Sequence, residues 1–313
     1  MSASLRALLT GVIDYAGMFP PASLPLEEAI RNYARYRQEP ESWMLGRFVC
    51  PAGRLVELAP FVEELFSSRP PLPLAVLGRK AKNMLDLDIS GEDVADMVFF
   101  QQSQESRASF DAYEIRFPTD FGSYPPFAVE SVNSLLLETM LYANVFCEAS
   151  PESDRHASFA SMLSVLAGCK GKKPLGFKLR CGGSDAVDLP SPEEVAYVIA
   201  SCSDAGIRLK FTAGLHHPIR HFNAEVQTKM HGFINVFTAG VLAHARRLSA
   251  EKLRPIIEDE DAGHFQFDDN GLSWKEWSAT TEEIAAARKQ VVSFGSCSFD
   301  EPREDLRRLG WLA

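Results

Sequence analysis

Two lysine-bearing strands joined by one well-capped helix constrain this chain more than any other stretch. Gly176-Phe177-Lys178-Leu179-Arg180 and Arg208-Leu209-Lys210-Phe211-Thr212 each alternate cations with large apolar residues, and each runs on into glycine. Between them, Ser191-Pro192-Glu193-Glu194 opens a helix: serine is the N-cap, proline takes the first helical position, and glutamate closes a capping box. Val195, Val198, Ile199 and Cys202 recur on one face, and Gly206 suits the helix stop. Strand, helix and strand in this order predict a βαβ unit with parallel strands.

The same alternation extends both ways. Strands are predicted at Leu45–Cys50, Leu74–Gly78, Ala112–Phe117, Asn144–Ala149, Gly176–Arg180, Arg208–Ala213, Phe233–Ala239 and Val291–Phe299. Helical patterns lie between them, at Leu55–Leu65, Val129–Leu141, Ala157–Leu166, Val241–Ile257 and Thr281–Lys289, and Met97–Gln101 reads as one further strand candidate. Such a series in 313 residues predicts an α/β fold, a (β/α)8 TIM-like barrel, with an open doubly wound sheet as the alternative. One domain over 1–313 is expected. Residues 1–40 would form an N-terminal helical extension before the first strand. Residues 258–277 would be an insertion holding a β-hairpin around Asn270-Gly271.

Strand parity assigns the charges. With Phe177, Leu179, Leu209, Phe211, Tyr113, Ile115 and Phe117 facing helices, the opposite face carries Lys178, Arg180, Lys210, Thr212, Glu114 and Arg116. Asn144 and Glu148 share a face, Asn235 alternates with Val236, and Arg47 joins from the strand at Leu45–Cys50. The alternative is antiparallel strands with these charges in water. Buried charges without compensation cost several kcal/mol, so the cationic excess predicts an anionic guest, a carboxylate or a phosphate.

That interior reads as the site of an enzyme, a lyase or isomerase acting on a small anionic carbonyl compound. Lys210 is the candidate Schiff-base nucleophile and Lys178 its tuner, each depressing the other's pKa; alternatively both are fixed cations for the anion. Glu148 would move protons. Arg116, Arg180, Thr212, Asn235, Glu114 and Arg47 would line the substrate site, and one of His216 and His217 would stand at its mouth, the other pointing away. Two other readings stay open. One is a metal-assisted lyase or hydrolase in which Glu148, His231 and one of His216 and His217 hold a divalent metal. The other is a barrel that binds an anionic metabolite without chemistry. Phe294–Pro302 reads as a final strand running into a helix capped by Ser298 or Asp300. Asp14–Pro21 reads as a stiff loop able to plug one barrel end, with Asp14 or Tyr15 in reach of the site.

Composition limits the rest. The net charge of −10 argues against nucleic acid, and no apolar run reaches the length of a membrane span. Six scattered cysteines without a C-x-x-C pair fit a reducing, cytoplasmic setting. No nucleotide fingerprint is present, so no organic cofactor is expected.

The stretch Gly176–Gly214 sets a lysine near a strand end, one βα unit, and then Gly206-x-x-x-Lys210 running into Ala213-Gly214. It resembles the deoxyribose-phosphate aldolase type of class I aldolase, which would imply a barrel, a Schiff-base lysine and a second lysine that tunes it. That family carries the pair on strands six and seven, whereas the strands predicted here number five and six, and Leu179-Arg180 stands where the family has small hydroxyl residues. Ile13–Pro21, Gly176–Gly183, Thr212–Arg220 and Phe294–Pro302 also resemble an uncharacterised family of bacterial TIM-barrel proteins, which implies a shared fold.

Overall fold

The helix and strands around the two lysines form as their sequence dictates. In the computed structural model, Ser191 Oγ accepts from the Glu194 amide at 3.1 Å and the Glu194 carboxylate accepts from the Ser191 amide at 2.7 Å. Val195, Val198, Ile199 and Cys202 are buried, and Gly206 ends the helix with φ of 66°. The structure describes residues 1–67, 70–80, 88–104, 106–117, 126–149, 154–169, 175–183 and 185–312.

The elements in chain order are α1 (Ala3–Leu9), β1 (Ile13–Tyr15), α2 (Leu26–Tyr36), β2 (Leu45–Pro51), α3 (Leu55–Phe66), β3 (Leu72–Leu77), α4 (Asp88–Gln104), β4 (Ala108–Arg116), α5 (Pro126–Glu138), β5 (Asn144–Glu148), α6 (Arg155–Gly168), β6 (Gly176–Arg180), α7 (Pro192–Ala205) and β7 (Arg208–Thr212). There follow β8 (His221–Asn223), β9 (Thr228–Met230), α8 (Phe233–Arg246), α9 (Ala250–Glu258), β10 (Phe265–Phe267), β11 (Gly271–Trp274), β12 (Trp277–Thr280), α10 (Thr281–Ala287), β13 (Val291–Ser296) and α11 (Asp300–Arg308).

Strands β1 to β7 and β13 close into an eight-stranded barrel in sequence order, the (β/α)8 arrangement. Pairing is parallel from β2 through β6 and between β7 and β13. The open doubly wound sheet is therefore overturned, and so are antiparallel, half-exposed strands for the charges.

One expected strand is helical and one strand was not expected, so the count of eight is unchanged. Phe233–Ala239 is helical and belongs to α8, where every residue from Phe233 to Ala243 is buried. A helix apolar on all sides has no periodic polar face and reads like a buried strand. The missing strand is β1, three buried residues within the segment expected to be an extension and a plug. Three residues are too few to show any period. Met97–Gln101 lies inside α4, and Val241–Ile257 divides into the end of α8 and α9. The final strand stops at Ser296, and the expected hairpin gains a third strand, β12. No helix among the described residues is long and apolar enough to cross a membrane.

The chain divides into two compact units, Asp14–Lys178, and Met1–Ile13 with Leu179–Ala313. In the first, Tyr15 meets Tyr36 edge-on at 5.4 Å, and Tyr33 packs on Phe48 at 5.6 Å while its hydroxyl donates to Gly46 O. In the second, α8 is the core. Phe237 meets Phe211 of β7 at 5.5 Å, and Phe233 stacks on Phe294 of β13 at 5.1 Å.

The ends of β6 and β7 approach so closely that only glycine fits. The Cys181 amide donates to Thr212 O at 2.8 Å, and a Cβ on Gly182 would lie 2.6 Å from Gly214 Cα. Gly214 also has φ of 71°. Gly182→Ala should therefore destabilise the protein by about 1–3 kcal/mol through backbone displacement. Chemical denaturation measures this, and an unchanged midpoint would contradict the close approach.

Candidate functional site

The charges of the first unit form a chain of alternating sign. Register sets Arg116 of β4 beside Glu148 of β5, and Glu148 beside Lys178 of β6, all at the C-terminal level of β4 and β5. Active-site residues of such barrels sit at this end of the strands. Lys178 Nζ donates to Glu114 Oε2 at 2.7 Å and to Glu148 Oε2 at 2.9 Å, and all three side chains are buried. Arg116 Nε stands 3.8 Å from Glu148 Oε1 and has no hydrogen-bond partner among the described residues. On the other side, buried Asp14 accepts from the Arg47 amide at 2.8 Å and from its guanidinium at 3.4 Å, while Asp111 lies 3.8 Å from Arg47.

Helix-facing residues behave as their parity predicts. Phe177 meets Phe159 of α6 at 5.8 Å, and Tyr113 donates to Asp93 of α4 at 2.8 Å. Asp93 also binds the Arg79 amide at 3.0 Å, and burial keeps its pKa above the ordinary carboxylate value despite Tyr113 and Arg79.

Within this unit, which lacks the Arg180 and Lys210 of the expected cationic excess, the charges are near balance. In this unit three cations, Arg47, Arg116 and Lys178, face four carboxylates, Asp14, Asp111, Glu114 and Glu148. Burial opposes the Lys178 charge, but Glu114 and Glu148 together outweigh it and hold its pKa above the ordinary value. Lys178 is thus a firm ammonium, where a depressed pKa was expected. Asp14 was missed as a partner of Arg47; the signal was an acid between the apolar residues of Ile13-Asp14-Tyr15. Burial also acts on Arg47, yet Asp14, Asp111 and Glu114 keep its pKa raised.

The other expected residues belong to the second unit and scatter. Lys210 is buried on β7 and Thr212 ends that strand beside Gly295 of β13. Arg180 is exposed at the end of β6. Asn235 is on helix α8, not on a strand: its Oδ1 accepts from the Arg220 amide at 2.9 Å, and its Nδ2 donates to Ile256 O and Asp259 O, both at 2.8 Å. His216 and His217, expected to point apart, both meet α11. His216 Nδ1 is 3.1 Å from Glu301, and His217 Nδ1 is 2.5 Å from Asp305. Glu301 and Asp305 are four residues apart and share a helix face. Burial lowers the His216 pKa, with Glu301 partly opposing it. Ser298 Oγ accepts from the Glu301 amide at 3.1 Å, the capping role expected for it, while Asp300 pairs with Arg303.

His231, expected in a metal set, makes two hydrogen bonds through its ring. Its Nε2 donates to Pro190 O at 2.8 Å and its Nδ1 accepts from Arg220 at 3.1 Å, so both ring nitrogens are occupied. Among the described residues no group of three His, Cys, Asp or Glu side chains is arranged around a common metal position. The cysteines are free thiols; burial pushes those of Cys147, Cys181 and Cys202 up, and they behave as small apolar groups. A cavity of about 340 Å³ lies over the β10–β12 sheet, beside Gln266, Phe267 and Ser278, and none of the barrel-strand charges lines it.

The chain matches no protein-family model, and its sequence has no match among curated proteins. Neither comparison shows the expected likeness to aldolases or to the bacterial barrel family.

The Lys178 pairing gives a signed prediction. Its folded pKa is raised, so its stabilisation is complete below the ordinary lysine value of 10.5 and is lost as pH rises through the folded value. Lys178→Met should cost about 3–5 kcal/mol at neutral pH, because it leaves two buried carboxylates facing each other. Denaturation of both proteins from pH 6 to about pH 11 should show the gap narrowing only at the alkaline end.

Proposed function

We propose that this chain is a barrel enzyme, a lyase or isomerase, that moves protons on a small anionic carbonyl compound. The observation that carries this reading is the Lys178 ammonium held 2.7 Å and 2.9 Å from two carboxylates at the C-terminal level of adjacent barrel strands. A general base needs a carboxylate in a confined site, and a developing enolate needs a fixed cation. Glu148 takes the proton from the carbon beside the carbonyl. The C–H electron pair becomes the C=C bond, and the carbonyl π pair moves to oxygen. Lys178 donates a hydrogen bond to that oxygen. Arg116, half-buried and with Nε unpartnered among the described residues, holds the carboxylate or phosphate. Glu114 keeps Lys178 charged.

A second reading keeps a Schiff base on Lys210. Counting β1 as the first barrel strand, Lys178 lies on the sixth and Lys210 on the seventh, which removes the offset from the aldolase pattern. The raised pKa of Lys178 argues against that residue as the nucleophile, since even an ordinary lysine is a free amine only about once in a thousand at neutral pH.

Incubation with a panel of keto acids and sugar phosphates in heavy water, read by NMR, tests the first reading. At least one compound should exchange its α-proton, and Glu148→Gln should slow that exchange about 10²–10⁴-fold. No exchange across the panel, or a borohydride-reduced adduct on Lys178, would overturn it. A reduced adduct on Lys210 would establish the second reading, and tight binding without exchange would mark a binding protein.

A further inference from the structure

We propose that Arg220, in the segment between β7 and β8, is the centre of an oxyanion-binding site that takes the phosphate or carboxylate group of a small metabolite. The segment belongs to the second unit and was not foreseen from the sequence.

Arg220 makes no ion pair with any described carboxylate. The two acids whose charge reaches it, Glu260 and Glu258, are bound to other cations: Glu260 to Lys229 at 2.5 Å and Glu258 to Arg254 at 2.9 Å. Yet the residue is firmly placed. Its amide donates to Asn235 Oδ1 at 2.9 Å, and Asn235 is tied by its other end to the carbonyls of Ile256 and Asp259. Its guanidinium donates through Nη1 to His231 Nδ1 at 3.1 Å.

His231 is built for that contact. It is buried, and Pro190 O can only accept, so Nε2 carries the hydrogen and Nδ1 offers its lone pair. Burial, then the nearby Arg220 charge, lowers its pKa to about 4, which keeps the ring neutral. The segment is further pinned by the first amides of α8: Phe233 donates to His217 O at 3.0 Å and Ile234 to Pro218 O at 2.9 Å.

With Nη1 engaged, Nε and Nη2 are left without an acceptor among the described residues. These two donors form the side-on edge of the guanidinium, the edge that takes two oxygens of a carboxylate or phosphate together. Burial lowers the Arg220 pKa, as expected for a partly desolvated cation lacking a close counterion. The segment also follows the C-terminal end of a barrel strand, where ligand-binding loops of this fold sit.

Titration calorimetry of the full chain with inorganic phosphate and with malonate tests the proposal. Wild type should bind at least one probe saturably. Arg220→Met should weaken it more than tenfold, and Arg220→Lys, which keeps the charge but not the fork, should weaken it severalfold. His231→Phe, which frees the guanidinium, should also weaken it. Binding is read at Arg220 and proton exchange at Glu148, so this site and the proton-transfer reading stand or fall separately. Absence of saturable binding of both probes, or equal affinity in Arg220→Met and Arg220→Lys and wild type, would overturn the site. Circular dichroism of each variant establishes that it is folded; should Arg220→Met not fold, Arg220→Lys decides.

Discussion

An ammonium shared by two buried carboxylates governs the first unit. Lys178 is satisfied only if Glu114 and Glu148 both reach it, so β4, β5 and β6 are tied to one register. A slip of one residue would turn Lys178 toward the helix side, where Phe177 now meets Phe159, and would strand its charge. The same carboxylates set the chemistry. They raise the Lys178 pKa and give the site a charge pattern of alternating sign, which extends through Glu114 to Arg47 and Asp14. Such a pattern is poor at generating a nucleophilic amine and well suited to holding charge that develops during proton transfer.

The arginines differ in how their charge is met. Arg79 is clamped by Asp93 and Asp96, Arg246 by both oxygens of Glu283, and Arg31 by both oxygens of Glu64. Arg220 receives comparable positioning from neutral groups instead, an amide side chain and an uncharged imidazole. Neutral partners orient a guanidinium without cancelling its field.

Much of this was legible from residues alone. The capped helix α7 and its flanking strands follow from local rules, and strand parity sorted Phe177 from Lys178 and Tyr113 from Glu114 correctly. What failed was non-local or too short to carry a signal. A three-residue strand has no period, and the all-buried α8 has no polar face, so Ile13–Tyr15 and Phe233–Ala239 exchanged roles. Charge balance failed for a related reason: Asp14 lies 33 residues from Arg47, and no sequence rule pairs them. The state of Lys178 depends on such distant partners, which is why a depressed pKa was expected and a raised one found.

The location of α1 has a consequence for synthesis. Its buried face, Leu5, Leu8 and Leu9, belongs with elements near the other end of the chain, and the Ala3 amide bonds Asp269, 266 residues later. A ribosome adding about 5–20 residues per second leaves this helix without its partners for roughly 13–53 s. During that interval Asp14–Lys178 emerges as one uninterrupted stretch, while the other unit still lacks most of its residues. Helix α1 is thus made before the Asp14–Lys178 unit and buried after it can form, so for this helix burial lags synthesis.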